Sequence, residues 1–417
     1  MGEGAIALDD YLDSADTRST LGAIRALGAT VEVRPARFGA LEVSVQGVGL
    51  RGPGERAGAA TVPIDVGNAG TLLRLLPGWL AGQAAGAWEL DGDESIRRRP
   101  VDRVMDPLER MGASVSCRDG RLPPLHVAGA PLRGTSYELP VASAQVKSCV
   151  LLAGLLAEGT TEVIEATPSR DHTERMLRAA GVPLVSERTG TGMATGGSLP
   201  GRRITLEGVE RLEPRGLRIP GDLSSAAFLL VAALILRRSE VTLTGVGLNP
   251  TRVGLLGILN RMGGAIEVEE DPHDGAEPSG SVTARHSMLR PTRVAAGEVP
   301  LAIDELPLVG LAACFAEGET VVSGAGELRH KESDRIATVV EALRGLGADA
   351  EATEDGFVVR GTGELRGGRV DSHGDHRLAM LGAVAGLASR EGAIVDGMEA
   401  AGVSYPGFIA DLRTLRS

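Results

Sequence analysis

The sequence contains only three cysteines, and their number and spacing exclude a disulfide framework. Cys117, Cys149 and Cys314 form an odd set without paired spacing, and two of them fall in apolar runs. Disulfide-stabilised secreted domains instead carry an even set of closely spaced cysteines. We therefore expect three buried free thiols in a protein of a reducing compartment.

The sequence also lacks a long hydrophobic run and an excess of positive charge. The longest apolar run, 226–236, is too short to span a bilayer and ends at Arg237 and Arg238. The N-terminus carries Asp9 and Asp10 instead of the basic and apolar regions of a signal peptide. The net charge of -12 argues against a broad nucleic-acid or membrane surface. We expect a cytoplasmic protein that acts on small molecules and binds neither nucleic acid nor membrane.

What the sequence does contain is a module that recurs about every sixty to eighty residues. Each module has an apolar opening helix, a short strand, an amphipathic second helix and a glycine exit into another strand. The predicted opening helices are 67–82, 143–159, 221–237, 303–318 and 374–392. The predicted second helices are 17–27, 101–111, 171–180, 251–262 and 334–346. Their glycine exits are Gly28, Gly112, Gly181, Gly263 and Gly347. Repetition on this scale indicates the architecture of the whole chain.

The repeats predict an α/β (α+β) fold in which apolar helices are wrapped by sheets and amphipathic helices. Three modules on each side of 215–220 give two similar domains, 1–217 and 218–417, with the active site in the cleft between them. Five opening helices serve six second halves, so we expect the first repeat to lack its opening strand and helix. A missing first helix is the simplest account of this count, and our preferred hypothesis for its absence is a start codon placed too far downstream. The Gly-rich stretches 189–201 and 271–281 are predicted hairpin loops.

Candidate binding residues lie where the opening helices begin. These starts carry small or capping side chains, and a helix N-terminus favours anions. Lys331, Arg335 and Arg377 lie at or just before helix starts, where a cation opposes the helix dipole. This arrangement indicates a bound anion that offsets the unfavourable interaction. Arg97 and Arg98, in contrast, are expected to form a solvated charge run.

Seven short motifs in this order resemble those of the 3-phosphoshikimate 1-carboxyvinyltransferase family, also called 5-enolpyruvylshikimate-3-phosphate (EPSP) synthases. The motifs are Gly-Asn-Ala-Gly-Thr at 67–71, Arg-Pro at 99–100, Ser-Ala-Gln at 143–145, Ser-Arg-Asp at 169–171, Asp-Glu at 304–305, Lys-Glu-Ser-Asp-Arg at 331–335 and Asp-His-Arg at 375–377. The family's N-terminal Lys-Ser-x-Ser-His-Arg segment is absent from the sequence. The resemblance implies an inverse barrel-like enolpyruvyl transferase fold of six βαβαββ units, with the first truncated here.

The resemblance also implies the reaction and its residues. The enolpyruvyl group of phosphoenolpyruvate is transferred to the 5-hydroxyl of shikimate 3-phosphate, and phosphate is released, in aromatic amino-acid synthesis. The implied shikimate-3-phosphate contacts are Ser143, Ala144, Gln145, Arg170, Asp304 and Lys331. The implied phosphoenolpyruvate contacts are Gly70, Arg99, Gln145, Arg335 and Arg377. The implied catalytic residues are Asp304, Glu332 and Lys331, with Asp304 accepting the hydroxyl proton and Glu332 acting as an acid.

No cofactor or metal is expected, because His373 and His376 lack a third ligand, and the family resemblance implies a monomer. Two other functions stay open. UDP-N-acetylglucosamine 1-carboxyvinyltransferase shares the fold and donor, but its expected cysteine belongs in the loop after Arg99. Cys117 lies instead in a strand-like segment after Gly112. The other alternative is a truncated, inactive remnant that binds an anion without catalysis.

Overall fold

The computed structural model describes residues 1–53, 60–189, 200–272 and 276–414. The described residues form two compact units that divide between Ile219 and Pro220. The predicted hairpin loops 189–201 and 271–281 lie partly outside the described residues.

The first unit alternates helices with short strands. Its strands are β1 Glu3–Tyr11, β2 Thr30–Pro35, β3 Leu41–Val48, β4 Val62–Asp65, β5 Ala87–Asp91, β6 Ser114–Arg118, β7 Leu122–Ala128, β8 Ser136–Glu138, β9 Thr160–Glu165, β10 Val185–Thr189, β11 Gly201–Glu207 and β12 Leu217–Arg218. Its helices are α1 Ala15–Ala26, α2 Gly70–Ala81, α3 Asp102–Arg110, α4 Ala144–Gly154 and α5 His172–Ala179. Short 3-10 turns span Arg37–Gly39 and Ile96–Arg98.

The second unit continues the same alternation. Its strands are β13 Glu240–Gly247, β14 Ala265–Glu270, β15 Ser279–Arg285, β16 Arg293–Val294, β17 Gly318–Val322, β18 Asp349–Ala352, β19 Phe357–Gly361, β20 Gly368–Asp371 and β21 Ala393–Asp396. Its helices are α6 Leu223–Ile235, α7 Gly254–Arg261, α8 Val299–Ala302, α9 Leu306–Cys314, α10 Arg335–Gly345, α11 His376–Ala388 and α12 Phe408–Thr414. The 3-10 turns are Gly326–His330 and Met398–Val403.

One strand order recurs from sheet to sheet. In the first unit the orders are β12-β1-β3-β2, β4-β5-β7-β6 and β8-β9-β11-β10. In each of these sheets the first pair is parallel and the other two pairs are antiparallel. In the second unit the orders are β13-β15-β14, β16-β17-β19-β18 and β20-β21. The predicted α/β repeat is therefore confirmed, and the parallel edge strand of the first sheet, β12, comes from the end of its unit.

The opening helices form the core of each unit, as their uniformly apolar sequences predict. All nine residues of α9 are buried, and α6 buries every residue except Ser225. In the first unit α2 lies against α4, and a Cβ added at Gly78 would lie 2.0 Å from the carbonyl oxygen of Cys149. Glycine at this position therefore permits the close approach of the two helices.

The second helices end in one shared backbone motif. The exit glycines Gly28, Gly112, Gly181, Gly263 and Gly347 all have a positive φ, between 86° and 95°. The amide after each glycine donates to a carbonyl five residues earlier, as Ala29 N does to Ile24 O at 3.0 Å. This is the Schellman arrangement, in which glycine adopts the left-handed conformation without steric cost. The predicted glycine exits are confirmed.

The cysteine prediction is confirmed for two of the three thiols. Cys149 and Cys314 are buried, and burial raises the pKa of each to about 12. Cys117 is only partly buried, so its expected burial is wrong, because it lies on β6 at the outer end of its sheet. Among the described helices, none has the length and apolar character needed to cross a membrane.

Candidate active site

The starts of α2 and α4 meet in the first unit. Gln145 Nε2 donates to Thr71 Oγ1 at 3.1 Å, and Arg74 Nη1 donates to Gln145 Oε1 at 3.3 Å. Arg74 Nη2 also donates to the carbonyl oxygen of Pro100 at 3.2 Å. We call Asn68, Gly70, Arg74, Arg99 and Gln145 the first-unit cluster. These contacts bring the predicted residues Gly70, Arg99 and Gln145 together.

Gly70 lies beneath two guanidinium groups. A Cβ added at Gly70 would lie 2.7 Å from Arg99 Nη1 and 3.1 Å from Arg74 Nη1. Arg99 Nη2 donates to Asn68 Oδ1 at 3.0 Å, and Asn68 Nδ2 donates to Asp93 Oδ2 at 2.6 Å. The arrangement combines planar guanidinium donors with a helix N-terminus, and both favour carboxylate or phosphate ligands.

The other predicted residues of this unit lie at the start of α4 and in the loop after β9. Ser143 caps α4, with its hydroxyl accepting from Val146 N at 3.4 Å, and Ala144 begins the helix. Arg170 follows Ser169 in the loop between β9 and α5. Lys147, one turn into α4, donates to the carbonyl oxygen of Ser169 at 3.4 Å. This bond joins the helix that carries Ser143 to the loop that carries Arg170.

In the second unit, Asp304 lies between two cations from one segment. Its Oδ1 is 3.1 Å from Lys331 Nζ and 3.4 Å from Arg335 Nη1. The Asp304 side chain is 12% exposed and that of Lys331 is 30% exposed. We call Asp304, Lys331, Glu332, Arg335, Asp375 and Arg377 the second-unit cluster. The Asp304 carboxylate and the Lys331 ammonium group are therefore partly exposed to solvent while they contact each other.

Arg335 is the buried centre of this cluster. Its side chain is 1% exposed and contacts Asp375 through Nε to Oδ2 at 2.8 Å and Nη2 to Oδ1 at 3.2 Å. Its Nη2 lies 2.7 Å from Glu332 Oε2. Burial opposes the charge on Arg335, but Asp375 and Glu332 outweigh this effect and raise its pKa. Burial likewise opposes ionisation of Asp375, but Arg335 lowers the pKa of Asp375 to about 2.

Arg377 lies in the first turn of α11 and contacts two acidic residues. Its backbone amide donates to Asp375 Oδ1 at 2.9 Å, and its Nη1 lies 3.7 Å from Glu305 Oε1. Glu305 also accepts from the hydroxyl of Ser224. The Ser224 hydroxyl in turn accepts from Arg252 Nη2 at 2.6 Å. Arg377 therefore belongs to a network of ion pairs and hydrogen bonds that includes the start of α6.

Protein carboxylates lie beside the three cations for which the sequence indicated a bound anion. Asp304, Asp375 and Glu305 contact Lys331, Arg335 and Arg377. Asp375 and Glu305 were missed as functional residues, because in sequence each looks like part of a helix start.

Arg74 was also missed, although the sequence contains a signal for it. It follows Gly70 by one helical turn and so lies on the same face of α2.

Arg97 and Arg98 behave as the sequence predicts. Arg97 is 51% exposed and pairs with Asp91, and Arg98 is 74% exposed and pairs with Glu94. Both arginines point into solvent and are separate from the first-unit cluster. The described ranges also contain no group of three His, Cys, Asp or Glu side chains placed to hold a metal ion.

The protonation of His376, next to Asp375 and Arg377, makes the stability of the fold depend on pH. Burial and the charge of Arg377 lower the pKa of His376 to about 4, against the opposing effect of Asp375. Since this value lies below 6.5, the unfolded chain binds more protons between pH 6.5 and 4. The stabilisation from neutral His376 is therefore complete above pH 6.5 and is lost as pH falls towards 4.

We expect the free energy of unfolding of the wild type to fall by on the order of 2–3 kcal/mol between pH 6.5 and 4 relative to His376→Gln. Denaturant titrations of both proteins at half-unit pH steps measure this difference. His373, which is exposed and pairs with Glu341, offers the matched control variant His373→Gln. Parallel curves of unfolding free energy against pH for the wild type and His376→Gln would contradict the lowered pKa of His376.

Residues 1–412 match the model of the family described as EPSP synthase (3-phosphoshikimate 1-carboxyvinyltransferase). The chain is 47% identical over 416 residues to a 3-phosphoshikimate 1-carboxyvinyltransferase of Thermus thermophilus, an alignment that covers 100% of this chain and 91% of the relative. A relative of the same name from Synechococcus sp. is 44% identical over 416 residues, covering 100% of this chain and 89% of the relative. The solved structure of EPSP synthase from Acinetobacter baumannii superposes with a TM-score of 0.82 at 38% identity, covering 100% of this chain and 91% of that one.

Proposed function

The chain belongs to the EPSP synthase (3-phosphoshikimate 1-carboxyvinyltransferase) family, and from this premise we propose that its two charged clusters hold the two substrates. The enzyme transfers the enolpyruvyl group of phosphoenolpyruvate to the 5-hydroxyl of shikimate 3-phosphate and releases phosphate. The reaction is a step of the shikimate pathway, which leads to the aromatic amino acids. The proposal rests on one observation: motif residues scattered between positions 70 and 377 converge on two clusters of cationic side chains and helix starts.

Shikimate 3-phosphate is assigned to the α4 start and to the two accessible charges of the second-unit cluster. Ser143, Ala144 and Gln145 offer a hydroxyl, helix amides and a side-chain amide, and Arg170 offers a bidentate donor for a phosphate. Asp304 and Lys331 bind the ring hydroxyl groups in this proposal. Support comes from the bond between Lys147 and Ser169, which links Ser143 and Arg170 within one unit.

Phosphoenolpyruvate is assigned to Gly70, Arg99, Gln145, Arg335 and Arg377. The donor carries both a carboxylate and a phosphate, and planar guanidinium groups bind both of these anions through paired hydrogen bonds. The absence of a side chain at Gly70 supports the assignment, because it leaves backbone and guanidinium donors side by side. We also propose that both clusters serve one reaction, in a monomer located in the cytoplasm.

The proposed chemistry is an addition followed by an elimination. The 5-hydroxyl oxygen bonds to C2 of phosphoenolpyruvate while Asp304 accepts the hydroxyl proton and Glu332 donates a proton to the methylene carbon. The adduct has a tetrahedral C2 that carries the phosphate. The departing phosphate then takes up the proton held by Asp304, and one methyl proton returns to the Glu332 carboxylate, so the double bond is restored. Lys331 and Arg335 stabilise the negative charge that remains on the site throughout these steps.

Replacement of Arg99 tests the donor assignment. We expect Arg99→Ala to raise KM for phosphoenolpyruvate by roughly 10–100-fold, because a hydrogen bond from Arg to a charged group contributes about 1.5–3 kcal/mol. Arg97→Ala and Arg98→Ala are matched controls, because both arginines are exposed and pair with acidic side chains. Steady-state phosphate release, with each substrate varied in turn, measures the effect. An unchanged KM for phosphoenolpyruvate in Arg99→Ala would remove Arg99 from the donor site.

A further inference from the structure

Three charged side chains are buried together in the first unit, outside the residues that the family motifs identify. Lys147 Nζ lies 2.9 Å from Glu165 Oε2 and 2.8 Å from Glu174 Oε1. The side chains of Lys147, Glu165 and Glu174 are 1%, 0% and 3% exposed. Two carboxylates share one ammonium group in a water-excluded interior, an arrangement that is seldom favourable for stability alone.

The two carboxylates of this group have different surroundings. Glu165 Oε1 accepts from the backbone amide of Ser169 at 3.1 Å and also from the Ser169 hydroxyl. Lys147 Nζ donates to the carbonyl oxygen of Ser169 at 3.4 Å. Ser169 is thus bound through its amide, its hydroxyl and its carbonyl. Glu174 contacts Lys147 through Oε1, whereas its Oε2 has no hydrogen-bond partner within the described ranges.

The contacts of Ser169 fix the backbone position from which the next residue, Arg170, extends. Lys147 belongs to α4, the helix whose start holds Ser143 and Gln145, whereas Glu165 ends β9. A hydrogen bond of 2.6 Å between Ser148 and Thr173 adds a second link between α4 and α5. The helix start and the loop are therefore joined as one rigid group, and ligand affinity rises when such groups are preorganised.

We propose that Lys147 and Glu165 are positioning residues that hold Arg170 against the start of α4 and so set the affinity for the phosphate group of the acceptor. The ion pair contacts no substrate. It acts by fixing the backbone of Ser169, and it rests on the proposed assignment of Arg170 and Ser143 to shikimate 3-phosphate.

Two isosteric variants of the same buried group separate positioning from stability. In Glu165→Gln the amide accepts through one oxygen only, so it serves either Lys147 or Ser169 but not both. In Glu174→Gln the remaining oxygen still accepts from Lys147, and the bonds between Glu165 and Ser169 are untouched. Burial raises the pKa of Glu174, so a neutral amide is well tolerated there. Both variants remove one negative charge from the neighbourhood of Lys147.

We expect Glu165→Gln to raise KM for shikimate 3-phosphate roughly tenfold while KM for phosphoenolpyruvate and kcat change less than about threefold. Glu174→Gln changes each of these values less than about twofold. Ser169→Ala, which keeps the ion pair and removes one bond to Glu165, gives a smaller rise in the same KM and replaces Glu165→Gln if that variant does not fold. Phosphate-release kinetics and the thermal midpoint of each variant are measured together.

A merely structural role predicts that both Gln variants lose activity in proportion to their loss of thermal midpoint. Equal rises of KM in the two variants, or an equal rise for both substrates in Glu165→Gln, would overturn the proposal.

The variant Arg170→Ala separates an error in the proposed shikimate-3-phosphate site from an error in the positioning role alone. An unchanged KM for shikimate 3-phosphate in Arg170→Ala overturns the site assignment together with this proposal. A raised KM in Arg170→Ala and Ser169→Ala with none in a folded Glu165→Gln overturns the positioning role alone.

Discussion

The Asp304→Asn enzyme is expected to turn over about 10²–10⁴-fold more slowly than the wild type, with a smaller change in KM. Asparagine keeps the shape of the side chain and can still accept from Lys331, but its amide does not take up the proton of the 5-hydroxyl. The fold should persist, because Arg335 keeps its contacts with Asp375 and Glu332. The rate constant for phosphate release at saturation with both substrates measures the loss.

Asp349→Asn is the matched control for this prediction. Asp349 lies in the same unit, is 62% exposed and pairs with Arg360. We expect its kcat to stay within about twofold of the wild type, as for most exposed substitutions. A similar kcat for Asp304→Asn and the wild type would show that Asp304 is not the proton acceptor.

The second large effect is expected on stability, from the replacement of Arg335 by Met. Removing one partner of a buried ion pair costs about 3–5 kcal/mol, because the carboxylates left behind lie in the interior without a compensating charge. Asp375 would lose both of its bonds to the guanidinium group, and its side chain is fully buried. Denaturant unfolding at pH 7 measures the change in the free energy of unfolding of the second unit.

Arg360 provides a close control, because it too faces three carboxylates. It lies 3.4–3.5 Å from Glu319, Asp349 and Glu351, but its side chain is 46% exposed. Water already solvates these charges, so Arg360→Met should leave stability almost unchanged. If Arg335→Met unfolds like Arg360→Met, the buried cluster does not stabilise the second unit.

The helices of this fold are predictable from sequence because their signals are local. Apolar runs such as 226–236 and glycine exits such as Gly28 determine which residues form helices and where these end. Parallel pairing depends on residues far apart in the chain. No local pattern indicates that Leu217 pairs with Leu8 at the edge of the first sheet.

The same distinction applies to the candidate site. Short motifs contain Arg335 and Asp375, but only the fold shows that the two side chains lie 2.8 Å apart across forty residues of sequence. Lys147 is harder still, because in sequence it is one cation in an apolar helix. Its partners Glu165 and Glu174 lie 18 and 27 positions later, so no helical spacing connects them. Ion pairs between residues of different helices and strands can therefore be identified only from the structure.

The most direct test of the account is a steady-state assay of phosphate release with phosphoenolpyruvate and alternative acceptors. Shikimate 3-phosphate is compared with shikimate, which has the reacting hydroxyl but lacks the phosphate that Ser143 and Arg170 are proposed to bind. We expect rapid release with shikimate 3-phosphate and a much lower kcat/KM with shikimate, because the lost contacts no longer assist the transition state. No release with shikimate 3-phosphate, or equal kcat/KM for the two acceptors, would contradict it.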